Sequence, residues 1–181
     1  QKDFLESTAG EVTTSFEFQR KDFSAIPWER VGPYSDGTFA WIPSYAYVKE
    51  LTRQLRETYK DEYHFVQLVI DSAHWKKEDI NDLIWGFNLS ALFPDSQKPY
   101  YAVQIIRAAN TPSSLKLTFD MELAHAFDNI GDKEGVNLEQ LFSVGDFDYD
   151  VIHGLDSRYP IFEYRHVYTK IKDYLITWFP S

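Results

Sequence analysis

Tyr63–Asp71, YHFVQLVID, decides the fold. It is the most continuous apolar run in the chain, β-branched at Val66, Val69 and Ile70, with a helical pattern on either side. A run of that length between two helices reads as a central strand covered on both faces. Upstream, Tyr45, Val48, Leu51, Leu55 and Tyr59 recur at helical spacing, with Lys49, Arg53, Arg56 and Lys60 on the other face. This predicts an amphipathic helix opened by Pro43 and ending near Tyr59. Downstream, Ile80, Leu83, Ile84 and Phe87 repeat the pattern behind Glu78 and Asp79, with Gly86 a weakness inside it. Tyr100–Ala108, YYAVQIIRA, is then a second strand, and its Val103-Gln104-Ile105-Ile106 echoes Val66-Gln67-Leu68-Val69. Strand, helix and strand in one sheet imply parallel pairing.

Outward from this unit the pattern is more varied. Residues 1–10 are polar and read as loose. Glu11–Gln19 alternates around Phe16 and Phe18 and predicts a first strand. Lys21–Thr38 reads as an aromatic loop with Trp28, Arg30 and Tyr34, punctuated by Gly32-Pro33 and Asp36-Gly37 and followed by Trp41. After a turn at Asn110–Ser113, Leu115, Leu117, Phe119, Met121 and Leu123 alternate with Lys116, Thr118, Asp120 and Glu122. That period predicts a half-exposed strand, followed by a loop over Asp128–Gly135 and one helical turn over Leu138–Phe142. Pro160 opens a last helix with the stripe Val167, Ile171, Tyr174, Leu175 and Trp178, stopped by Pro180. The fold class is α/β or α+β: one domain over 1–181, a single mixed sheet of about four to five strands, helices packed on it and a C-terminal helix.

Composition bounds the function. The 181 residues include Phe 14, Tyr 12 and Trp 5, rings that fill cores and also furnish contact surfaces. The net charge of −10 argues against nucleic acid and anionic membranes, both of which select clustered Lys and Arg. No apolar stretch is long enough to span a bilayer. The absence of cysteine favours a reducing, cytoplasmic setting, although the chain opens at Gln1 and reads as a processed or trimmed product. Asn88-Leu89-Ser90 is a glycosylation sequon of the kind that occurs by chance. No Gly-rich phosphate loop is present, so no cofactor is expected.

Charge is concentrated. Between Asp120 and Asp156 ten acids (Asp120, Glu122, Asp128, Asp132, Glu134, Glu139, Asp146, Asp148, Asp150 and Asp156) face Lys133 alone, a net −9. With Trp28 and Tyr34 as anchors, this segment predicts stoichiometric docking on a basic protein, in the manner of an immunity or inhibitor protein of a toxin or nuclease. Asp146, Asp148 and Asp150 alternate and, if extended, would point to one side as oxygen ligands for a metal. The EF-hand pattern fails, because Val151 stands at the required glycine and Ser157 at the bidentate glutamate. His64, His125, His153 and His166 are scattered, with no H-E-x-x-H spacing. An enzyme is the less favoured reading. A small hydrolase would use Asp71, Ser72 and His74 at the carboxyl end of the central strand, with Arg107 from its neighbour. Ser72 serves equally as a helix N-cap. A third reading, carbohydrate stacking on Trp28, Tyr34 and Trp41, needs those rings exposed.

Overall fold

The structure, a computed structural model, describes residues 6–12, 17, 26–33, 37, 39–59, 62, 64–70, 86–88, 102–107, 111–161 and 163–179. The fold mixes α and β. The chain divides into two compact units, one from Arg20 to Thr118 and one joining Gln1–Gln19 to Phe119–Ser181. The described strands form two sheets, of two and three strands, where a single sheet was expected. Among the described residues no helix is long and apolar enough to cross a membrane.

In the Arg20–Thr118 unit, β1 (Trp28–Val31) pairs antiparallel with β2 (Ala40–Pro43), Trp28 opposite Pro43 and Arg30 opposite Trp41. Part of the expected aromatic loop is therefore a ribbon. Its strands are four residues each, too short to show an alternating period in sequence. Pro43 closes β2 instead of opening the helix. Helix α1 (Tyr45–Tyr59) starts at Ser44, whose carbonyl accepts from Val48 N–H, while Tyr45 N–H donates to the Glu29 carboxylate. The helix buries Val48, Thr52 and Leu55, and leaves Tyr45 exposed. Val48 packs against Leu68 and Ile70, and Leu55 against Val66 and Leu68.

Those apolar partners belong to β3 (Phe65–Ile70), which with β4 (Gly86–Asn88) and β5 (Ala102–Arg107) forms a sheet in the order β3-β5-β4. β3 and β5 are parallel, as expected. Their register sets Val66 against Val103, Gln67 against Gln104, Leu68 against Ile105 and Val69 against Ile106, so the echo in the sequence is the pairing itself. Gln67 Nε2 donates to Gln104 Oε1 at 2.5 Å, giving the buried Gln104 an amide partner. A one-residue slip would separate the two amides and reverse every side chain. Two corrections follow. The middle strand of the described sheet is β5, whereas β3 lies at an edge with Val69 exposed. Phe87 sits in β4, antiparallel to β5, where a helix was expected; Gly86, unfavourable in a helix, begins that strand.

The unit boundary falls inside α2 (Pro112–Glu134). This helix replaces both the strand expected over Leu115–Leu123 and the loop expected over Asp128–Gly135. Thr111 Oγ1 accepts from Ser114 N–H at 3.2 Å, and Pro112 occupies the first helical position. At the far end Gly135 takes φ +73°, with Gly135 N–H donating to Asp132 O and Val136 N–H to Gly131 O, a Schellman closure. Thr118, Glu122, Ala126 and Ile130 are buried at a spacing of four. The alternating Leu115, Leu117, Phe119, Met121 and Leu123 are only half-buried. The apolar alternation was real, but it does not mark the face that packs.

Beyond Gly135, α3 (Leu138–Phe142) forms where one helical turn was expected, with Asn137 Oδ1 accepting from Gln140 N–H at 2.6 Å. A π-helical turn spans Asp148–Ile152. The last helix is two, α4 (Arg165–Lys170) and α5 (Lys172–Trp178), separated at Ile171. Val167, Ile171, Leu175 and Trp178 remain one buried stripe across the break, while Tyr174 is exposed. Phe127 meets Tyr168 edge-on, and the Phe142 and Phe147 rings lie 4.9 Å apart between centroids. Within the expected loose segment, Thr8 is buried; Glu6 pairs with Arg165 at 3.0 Å. Glu11 and Val12 do not begin a strand; Val12 is buried and Glu11 pairs with Lys172 at 2.8 Å.

Candidate metal centre

The acidic segment divides by what each carboxylate touches. Asp120 accepts from the Tyr168 hydroxyl at 2.9 Å. Asp146 Oδ1 accepts from Tyr149 N–H, and Asp150 Oδ2 from the N–H groups of Gly145 and Asp146. Asp156 is paired with Arg158 at 2.6 Å. Asp132, Glu134 and Asp146 are exposed. Of the other four, Glu139 is half-buried and adds its charge beside Asp128, while Glu122, Asp128 and Asp148 gather around histidines that the sequence showed only as scattered.

Helix α2 supplies one side of this cluster. Glu122, His125 and Asp128 follow each other at spacings of three, which places them on one face of the helix. The helical zinc pattern H-E-x-x-H would require an imidazole at 121, where the chain has Met121. The second imidazole comes instead from the π-helical turn. In an α-helix, residues five apart point about 140° from each other. Here the wider turn closes with His153 N–H donating to Asp148 O at 2.9 Å, and both side chains reach the same point. This overturns the extended reading of Asp146, Asp148 and Asp150, since a helical turn does not present alternate residues on one side. Of those three, Asp148 joins the cluster and the other two hold local backbone.

Asp148 Oδ1 lies 3.0 Å from His125 Nδ1 and 3.5 Å from His153 Nε2, and the two imidazole centroids are 5.3 Å apart. One ligand atom from each of the three residues falls within 4.8 Å of the others. A tetrahedral centre with bonds of about 2.0–2.1 Å holds its ligand atoms about 3.3 Å apart, so the observed spacings need little adjustment. Two nitrogens and one carboxylate oxygen suit a borderline dication such as zinc; calcium and magnesium prefer all-oxygen sites.

Electrostatics mark the same place. Burial would lower the His125 pKa, but the hydrogen bond to Asp148 and the Glu122, Asp148 and Asp128 charges raise it above the usual value. The hydrogen bond from His125 holds the Asp148 carboxyl below its usual range, against burial. Burial lowers His153. Glu122 is 2% exposed. Burial pushes its carboxyl up to about 7, with the His125 charge opposing and the Asp148 charge adding. Asp128 is also pushed to about 7, by burial and then by the charges of Asp132, Glu139 and Asp148. Two carboxyls poised near neutrality beside a His–Asp–His cluster are the kind of groups that general acid–base chemistry uses.

The remaining sequence candidates lie elsewhere. Asp71, Ser72, His74 and Tyr34 fall outside the described residues. Arg107 ends β5, opposite Ile70. Trp28 and Trp41 are half-buried in the β1–β2 ribbon. Compared with known proteins, the chain matches no family model, and no curated protein and no solved structure matches it.

Proposed function

We propose that the protein is a metal-dependent hydrolase acting on a carboxylic acid derivative, with His125, Asp148 and His153 as metal ligands and Glu122 as the general acid–base. The observation that carries this is the convergence of those three ligand atoms next to a buried carboxyl on the same helix as His125. An ion held by three protein ligands keeps a position for water and lowers its pKa toward neutrality. Glu122, with its carboxyl pushed to about 7, is suited to accept that proton and return it to the leaving group. Two histidines and a carboxylate also serve non-haem iron. The Glu122 carboxyl favours hydrolysis, because oxygen activation at such a centre does not call for a neutral-range base.

The test is metal binding followed by turnover. Chelator-stripped protein titrated with zinc is expected to bind one ion, and His153→Ala to weaken binding by more than about 100-fold, beyond the effect of losing an outer-shell partner. Loaded protein is expected to cleave members of a mixed quenched-peptide pool. A flat zinc isotherm for the folded wild-type chain refutes the proposal. Docking on a basic partner is a second reading, favoured by the exposure of Asp132, Glu134 and Asp146. His153→Ala separates the two, since it removes a ligand and leaves those three carboxylates in place.

A further inference from the structure

The metal-binding turn carries an apolar rim. Leu155 is 71% exposed and Tyr149 58%, the two most exposed large hydrophobic side chains among the described residues. Both flank His153. The Tyr149 ring centroid lies 6.2 Å from that of His153. Leu155 N–H donates to Tyr149 O at 3.1 Å, so the two are tied together by backbone. Between His153 and Leu155, Gly154 adopts φ +66° and lies so close to Ile161 that a Cβ there would run into the Ile161 side chain. The chain thus turns tightly against Ile161 at Gly154 and leaves Leu155 exposed.

Single exposed apolar residues are common and call for no explanation. Here the two largest occurrences sit on either side of one candidate metal ligand, one of them in ring contact with it. From this juxtaposition we infer that Tyr149 and Leu155 form a specificity subsite for a peptide substrate, receiving a bulky apolar side chain next to the scissile amide. The inference rests on the hydrolytic reading of the His125–Asp148–His153 site. The rim is two side chains wide and is bordered in sequence by Asp146, Asp150 and Asp156. That width fits one peptide side chain, whereas an acyl chain needs a longer apolar trough. The Asp146 and Asp150 carboxylates disfavour an acidic residue in the same position, while Asp156 is balanced by Arg158.

The experiment uses the full chain loaded with zinc and quenched peptides of one neutral frame, with Phe, Leu, Ala or Glu in turn at a single position. The Phe and Leu peptides are expected to be cleaved with kcat/KM about 10-fold or more above the Ala and Glu peptides. The Tyr149→Ala/Leu155→Ala double variant is expected to lose that preference while binding zinc as the wild type does. Zinc binding and peptide cleavage without the preference, or with the preference kept in the double variant, overturn the subsite and leave the hydrolytic reading standing. Cleavage of a long-chain p-nitrophenyl ester but of no peptide assigns the rim to an acyl chain and overturns the proposal. Absence of zinc binding by wild type overturns both the subsite and the reading beneath it.

Discussion

Glu122→Gln separates the contribution of this carboxyl to stability from the acid–base role proposed for it. The side chain is 2% exposed, and burial pushes its pKa from 4.5 to about 7. A carboxyl raised in the folded state favours folding fully below its unfolded pKa, and that contribution is lost as pH rises through the folded value. The window is therefore pH 4.5 to about 7. The shift corresponds to about 3 kcal/mol of stability that the wild type loses across it and glutamine, which does not ionise, does not. For a chain of this size that amounts to roughly 6–12 °C in Tm. The assay is urea unfolding in the presence of chelator at pH 4.5 and pH 8, comparing the two proteins so that all other titrating groups largely cancel. Glu122→Gln is expected to match the wild type at pH 4.5, to exceed it by about 3 kcal/mol at pH 8, and to lose about 100-fold or more in turnover. A stability difference that does not change with pH refutes the argument that a buried carboxylate is being forced to ionise there.

Further outcomes follow from the same geometry. Because His125 is raised by Asp148 and must lose its Nδ1 proton to bind metal, zinc binding at pH 6.5 is expected to release protons, seen as calorimetric heats that vary with buffer ionisation enthalpy; buffer-independent heats remove His125 from the ligand set. Gly154→Ala combines a left-handed backbone with a collision against Ile161; it is expected to cost about 1–3 kcal/mol in chemical denaturation and to weaken zinc binding, and wild-type values for both would show that His153 is positioned by something else. Gln104→Leu strands the Gln67 amide against an apolar side chain and is expected to cost about 1–3 kcal/mol, measured by the same denaturation; no loss means that the amide pair does not hold the β3–β5 register.

The parts of the fold legible in the sequence were those whose signal is local or repeated. The α1 stripe predicted the helix and its end at Tyr59, and the Val-Gln-apolar-apolar echo turned out to be the β3–β5 register. The edge position of β3 in the described sheet was not legible, because strand order depends on chain far from the strand. Helix α2 was missed for a physical reason: Leu115–Leu123 alternates in hydropathy, yet the buried positions include Thr118 and Glu122, which are polar. Its caps were visible. Thr111-Pro112 opens a helix and Gly135 ends one, and those signals outrank a nine-residue alternation. The His125–Asp148–His153 cluster depended on that correction. Glu122 and His125 share a face only once the segment is helical, and Asp148 and His153 meet only through a π-helical turn, which has no periodic signature in sequence. The acidic segment and the His125–Asp148–His153 cluster fall on the same stretch of chain, but charge count marks the one and convergence of side chains the other.

The position of the unit boundary inside α2 has a practical consequence. A helix of 23 residues runs for about 35 Å as one rod. Dividing the chain by compactness would sever that rod between Thr118 and Phe119, about one turn before Glu122 and less than two before His125. The fragment from Phe119 would begin with a raw helix end, deprived of the Thr111 cap and of its first turns, and fraying there would reach the residues that face Asp148. The smallest transferable piece carrying the His125–Asp148–His153 cluster is therefore set by the continuity of a helix and not by the outline of a compact body.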